Sequence, residues 1–231
     1  MKLPISTRLL ACAALVAPGD RVADIGCDHG YLSIHLLTNG IAASVIASDI
    51  RQGPLESAIR NAKKYGVQNK IQFYLSDGVQ NIPRQFDTLI CAGMGADTMI
   101  SILSAAPWLK NEHYRLILQC QSKTPALRRY LYENGWFVDT ESVLRDGHFL
   151  YTVMEARWQD DMPPISLGEF YCPSALLENP TEEALEYYHR TVNKLRLSVN
   201  GRGEQADPAE KQALAYLEDL SIPSPIKEDT L

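Results

Sequence analysis

The 231-residue sequence has no C-x-x-C pair among its five cysteines, no G-x-G-x-x-G string, and no surplus of basic charge. Its cysteines (Cys12, Cys27, Cys91, Cys120 and Cys172) are scattered and odd in number. That excludes a disulfide framework and a structural zinc site, and it places the chain in the reducing cytoplasm. The missing glycine string argues against a dinucleotide site. No segment is apolar enough to span a bilayer, so no membrane role is expected. The net charge of −6 at first discourages a polyanionic partner. Its distribution matters more. Residues 1–157 hold 16 Lys and Arg against 14 Asp and Glu, whereas residues 158–231 hold 6 against 14. The acidity belongs to the C-terminal tail, and the body is close to neutral.

What is present reads as one α/β domain with an appendage. Near the start, Lys2 and Arg8 precede an apolar run from Leu9 to Ala17 that resembles a signal segment. Ile5, Leu9, Ala13 and Val16 instead fall at helical spacing, and the preferred reading is an amphipathic helix packed on the first strand. Buried-strand patterns follow at 21–25, 44–48, 71–75, 88–92 and 115–119, alternating with helix-length stretches at 31–39, 54–65, 97–106 and 125–134. This alternation predicts a parallel sheet with helices on both faces. It breaks at 136–144 and 149–158, which the Arg145-Asp146-Gly147-His148 turn joins as a hairpin. A Rossmann-like sheet ending in an antiparallel hairpin is the expected fold. Residues 1–158 form this domain, proline-rich residues 159–181 a linker, and residues 182–231 a helical hairpin. In that hairpin Leu185, Tyr188, Val192, Leu195 and Val199 make a 3-4 seam, and Pro208 opens a second helix with Leu214, Leu217 and Leu220. From Ile222 onward the chain reads as frayed.

The chemistry concentrates where strands end. Asp24-Ile25-Gly26-Cys27-Asp28-His29-Gly30 lies at the first strand-to-helix turn. Gly26 permits a tight turn and close approach. The helix that follows offers free N–H groups suited to a carboxylate. Asp24 and Asp28 bring negative charge that suits the ammonium and sulfonium of S-adenosylmethionine and repels a pyrophosphate. Asp49, followed by Ile50, ends the second strand, where an acid can accept from ribose hydroxyls. Asp77 and Gly78 follow the third strand and suit an adenine amino group. After the fourth, Ala92-Gly93-Met94-Gly95 leaves room for methyl and acceptor to meet. Each element alone is weak; four at successive strand ends make a methyl-donor site.

These strings resemble the bacterial tRNA (adenine-N1)-methyltransferases that act on adenine 22. The resemblance covers residues 5 to about 157 and is carried by Ser6-Thr7-Arg8-Leu9, the 24–32 string through Tyr31-Leu32, Gly53-Pro54, Asp77-Gly78, Ala92–Gly95 and Leu116-Ile117-Leu118-Gln119. Members also carry a coiled-coil-like helical pair at the C-terminus. The resemblance implies S-adenosylmethionine as donor and N1 of a tRNA adenine as acceptor. Asp24, Gly26, Cys27, Asp28, Asp49, Ile50, Asp77, Gly78, Ala92 and Gly93 would then bind the donor. Asp28, His29, Tyr31, Gly93 and Met94 would serve the acceptor, and Arg8, Arg51, Lys123, Arg128 and Arg129 would hold phosphates. The chain departs from the family in three places. Ser48-Asp49 stands for Gly-Glu, Ala96 for a glycine, and Gln119-Cys120-Gln121 for Gln-Pro-Asn, leaving Gln121 to supply an amide on a longer arm.

Blander readings stand beside these. Cys91 fits a small buried residue, Tyr31 serves equally as packing, and Arg60, Lys63 and Lys64 form a solvated helix face. His29 beside Cys27 and Asp28 lacks a second ligand cluster, so no metal is expected. The tail can meet phosphate only if Arg190, Lys194, Arg196 and Arg202 share one face; it serves equally as a weak homodimer surface on a protein otherwise monomeric. The residues also leave open another acceptor (rRNA, protein or small molecule) and a donor-binding module without catalysis.

Overall fold

The structure, a computed structural model, describes residues 3–222. The residues read as frayed from 223 onward, together with Lys2, lie outside it. One seven-stranded sheet runs in the order β3-β2-β1-β4-β5-β7-β6. Strands β1 (Arg21–Ile25), β2 (Ser44–Asp49), β3 (Ile71–Leu75), β4 (Thr88–Met94) and β5 (Arg115–Cys120) are parallel. Strands β6 (Trp136–Asp146) and β7 (Phe149–Trp158) form the antiparallel hairpin. Because β7 pairs with β5, the hairpin inserts its second strand into the sheet. The order of strand addition reverses between β1 and β4, so the carboxyl ends of these two parallel strands open a crevice where such sheets take ligands.

Every β1, β4 and β5 residue past the first is buried, apart from Ala92, Gly93 and Met94, and alternate positions feed two cores. Ala23, Ile25, Leu89, Cys91, Leu116 and Leu118 face helices α4 (Ala96–Ser104) and α5 (Thr124–Glu133). Val22, Ile90 and Ile117 face α1 (Thr7–Ala14), α2 (Tyr31–Thr38) and α3 (Gln52–Lys64). The opening segment is therefore helical, with Cys12, Ala13 and Val16 buried. Cys12, Ala13 and Val16 share a core with Val22 of β1, but the helix lies chiefly across β4, β5, β7 and β6 and against α2, because the inserted hairpin widens the sheet beneath it.

Residues 159–181 depart from a free linker. Two short 3-10 turns, Leu167–Phe170 and Ser174–Leu177, bury Phe170, Cys172, Leu176 and Leu177. Aperiodic sequence hid this, since such turns have no stripe to read. Helix α6 (Glu182–Arg202) begins at the Thr181 cap, whose hydroxyl accepts from the Ala184 amide at 3.2 Å. Its buried row is Ala184, Tyr188, Val192 and Leu195; Leu185 lies outside it. Helix α7 (Pro208–Glu218) starts with proline, whose missing N–H costs nothing there. It adds Ala213, Leu214 and Leu217 to this third core, which also takes in Val143 of β6. The helical pair is thus docked on the hairpin. No described helix is long and apolar enough to cross a membrane.

Candidate active site

A cleft of about 360 Å³ opens at the carboxyl ends of β1 to β4. Gly26, Asp28, Asp49, Ile50, Asp77, Gly78, Ala92, Gly93 and Met94 line it, as do Arg8 and Arg51. Ile25, Ser76, Thr98 and Ile102 complete the lining; Ile25 lies within the first-turn motif, and the other three were not among the sequence candidates. Ser76 directly precedes Asp77, and its hydroxyl pins that loop to the Gly78 carbonyl at 3.0 Å. Thr98 and Ile102 lie one turn apart on α4 and carried no chemical signal.

The first turn is held open by backbone geometry. Gly26 has φ +70°, and a Cβ there would sit 2.3 Å from the Met94 methyl. Asp28 adopts φ +49°, a region few non-glycine residues visit. Its amide donates to Asp49 at 3.2 Å, while the Arg51 amide donates to the same carboxylate at 2.9 Å. Asp49 thereby stitches the β1 loop to the β2 loop. Across the cleft, the β4 ladder slips between Ala92 and Met94, and Gly93 turns with φ +82°.

Asp24 lies behind the cleft rather than on its wall. Its carboxylate accepts the Ser33 hydroxyl at 2.6 Å and also the Ser33 amide. Asp24 thus takes one amide of the α2 first turn, that of Ser33, for the chain's own carboxylate. Burial pushes the Asp24 pKa up to about 6, Asp49 adds to the rise, and the Ser33 hydrogen bonds oppose it. Cys27 is buried beneath the turn, its thiol held protonated by burial and by Asp24, Asp49 and Asp28. Burial likewise raises the Cys91 thiol. His29 and Tyr31 stand outside the lining, their rings 5.7 Å apart, with His29 3.8 Å from Asp28. Among the described residues no group of three or more His, Cys, Asp or Glu could hold a metal.

The cationic candidates separate. Arg8 reaches into the cleft from α1 and donates to Gln119 Oε1 at 3.1 Å. Arg51 is exposed at the rim. Lys123 is exposed and pairs with Asp97 at 2.6 Å. Arg129 lies half-buried beside the Phe170 ring. Arg128 cannot hold a phosphate. Its side chain is 4 % exposed, pairs with Glu141 at 2.6 Å, and donates to the Phe170 and Tyr171 carbonyls at 2.9 and 3.0 Å. The Tyr187 hydroxyl completes the set at 3.2 Å. In sequence, Arg128 and Arg129 look alike. In space, helix α5 turns one of them into the seam with the tail.

The donor set fits S-adenosylmethionine. Asp28, Asp49 and Asp77 line the cleft with Asp24 buried behind it, a field that favours cationic ammonium and sulfonium and hydroxyl donors. Two glycine turns leave backbone where side chains would fill the space. A Rossmann-like sheet with this cleft defines a class I, S-adenosylmethionine-dependent methyltransferase. Consistent with that class, residues 5–154 match the methyltransferase domain family. The chain is 32% identical over 160 residues to the tRNA (adenine(22)-N(1))-methyltransferase of Bacillus subtilis, covering 69% of this chain and 67% of that one. It belongs to that family. A solved structure of the Bacillus subtilis tRNA methyltransferase superposes with a TM-score of 0.79 at 28% identity, covering 94% of this chain and 96% of the other. A Streptococcus pneumoniae structure, described as a candidate tRNA 1-methyladenosine-22 methyltransferase in complex with S-adenosyl-L-methionine, gives 0.80 at 28% identity over 91% and 99%.

Proposed function

We propose that this protein transfers a methyl group from S-adenosylmethionine to N1 of adenine 22 in tRNA. Bound S-adenosylmethionine supplies an electrophilic methyl: the N1–C bond forms as S–C breaks, and positive charge passes from sulfur to base. Because N1 offers a free lone pair, the protein needs no strong base. Its residues orient and shield. Asp49 and Asp77 hold the adenosyl part, Asp24 and Asp28 face the cationic part, and Gly26, Gly78, Ala92 and Gly93 keep backbone close. Met94 and Gly93 flank the meeting point, with Tyr31 and His29 at the mouth.

The observation that carries an RNA acceptor is a loop with two faces. Residues 121–124 are tied to the cleft by the Gln121 amide on the Met94 carbonyl at 2.9 Å and the Ala96 amide on the Ser122 carbonyl at 3.1 Å. The other side of this loop lines a groove of about 730 Å³ against α6, where Lys123, Arg190, Lys194 and Arg202 converge. Three of the four α6 cations thus share a face, Arg190 paired with Glu186 and Arg202 3.7 Å from Glu210, whereas Arg196 lies outside the groove lining and pairs with Glu218 at 2.7 Å. The tail is acidic overall, yet three of its basic residues line this groove, and Lys123 and Lys194 also line an adjoining pocket with Arg129.

We place this activity in the cytoplasm, with residues 1–158 as the methyltransferase domain and the tail helices as RNA wall. The protein acts as a monomer or as a weak homodimer through α6, where Leu197 is exposed. The test is transfer of label from tritiated S-adenosylmethionine to unmodified tRNA, followed by nucleoside analysis. Label in 1-methyladenosine that vanishes from a transcript with guanine at position 22 supports the reading. Label elsewhere in the RNA, or none despite donor binding, sinks it.

A further inference from the structure

Strand β5 reads Arg-Leu-Ile-Leu-Gln-Cys, and Gln119 is its one polar side chain in a fully buried position. A buried amide costs stability unless each of its groups finds a partner. Here all do. Nε2 donates to the Cys120 carbonyl at 3.2 Å. Oε1 accepts twice, from the Gly93 amide at 3.0 Å and from Arg8 Nη1 at 3.1 Å. One carbonyl oxygen therefore joins two things that meet at the methyl end of the cleft: the slipped β4 turn and the cation reaching in from α1. The fit is tight, since a Cβ on Gly93 would lie 2.8 Å from Arg8 Nη1. Asp146 at the hairpin tip, 3.8 Å from Arg8 Nε, flanks the guanidinium from the other side.

We infer that Gln119 is a positioning residue that aims Arg8 at the phosphate of the nucleotide being methylated. Phosphate, rather than base, follows from charge. Methylation at N1 leaves the base cationic, and an arginine beside that edge would oppose the product, whereas an adjacent phosphate welcomes it. Glutamine suits the task because a neutral amide fixes an arginine without cancelling its charge. This inference rests on the tRNA reading above.

The test is a double-mutant cycle on Arg8→Ala and Gln119→Leu, with KM and kcat for tRNA, calorimetric affinity for S-adenosylmethionine, and melting temperature. Each single variant is expected to lower kcat/KM for tRNA by about tenfold or more, mostly through KM, as loss of a charge-assisted contact does. Donor affinity stays within about twofold of wild type, and Arg8→Lys recovers part of the loss. The double variant is expected to be less impaired than the product of the two singles. Additive losses, or a Gln119→Leu defect that falls equally on donor affinity and melting, overturn the inference. A wild-type protein that methylates no tRNA overturns the underlying function and this inference with it; an active wild type with additive variants overturns this inference alone.

Discussion

The Asp24 carboxylate and the Ser33 hydroxyl lie 2.6 Å apart beneath the cleft, joining the end of β1 to the first turn of α2. This pair holds a buried acid that meets no cation among the described residues. Its pKa, near 6, exceeds the ordinary carboxylate value of 3.8 because burial disfavours the charge. Folding therefore favours the protonated form, so the Asp24 contribution to stability is greatest below pH 4 and declines as pH rises toward 6. A bound cation reverses the preference. Affinity for S-adenosylmethionine is expected to strengthen severalfold between pH 5 and pH 7, and Asp24→Asn to flatten that dependence while keeping the Ser33 bond. Calorimetric titration across this range decides it; an unchanged slope in Asp24→Asn would show that another group is responsible.

Gly26 makes the sharpest steric prediction. Alanine there takes a left-handed conformation costing about 1–2 kcal/mol, and its methyl drives the end of Met94 into the cleft. Gly26→Ala should melt a few degrees lower and bind the donor at least tenfold more weakly, by about the 1.4 kcal/mol that factor represents. Adding Met94→Ala should recover donor affinity but not the melting temperature, since only the clash is relieved.

Much of this was legible in the sequence, because strand-end chemistry is local. The bounds of β1 and β3 follow directly from short strand-forming runs stopped by Gly26 and Ser76, and the acids at 28, 49 and 77 reach the cleft. What failed to show depends on partners distant in the chain. Arg128 reads as a surface cation until Glu141, Phe170 and Tyr187 surround it. The packing of α1 on the far strands depends on where β7 inserts, which no periodicity encodes. Gln119 was visible as one amide in an apolar strand, yet its two donors, 26 and 111 residues away, were not.

The groove cations make a prediction about salt. Arg190→Glu with Lys194→Glu should raise KM for tRNA by about tenfold or more and reduce the salt dependence of binding by about two counterions, with donor affinity unchanged. Arg196→Gln, already paired with Glu218, should leave KM within about twofold, as an exposed ion pair contributes little. Equal effects from the two faces of α6 would remove the groove from the RNA path.

Arg128 makes a prediction about stability. Arg128→Ala strands Glu141 in the interior and should cost about 3–5 kcal/mol. Replacing both, as Arg128→Met with Glu141→Leu, should restore most of the melting temperature by chemical denaturation or calorimetry. Failure of the pair to recover would mean that the Phe170 and Tyr171 carbonyls, rather than the ion pair, govern the seam.

That node has a further consequence. Because one guanidinium fastens α5, β6, the 3-10 segment and α6 together, the two banks of the basic groove keep a fixed gauge. On the proposed function, an RNA whose width does not match would be turned away by shape before any base edge is read. Discrimination among transcripts would then start from a spacing set in the interior, by a residue outside the groove lining.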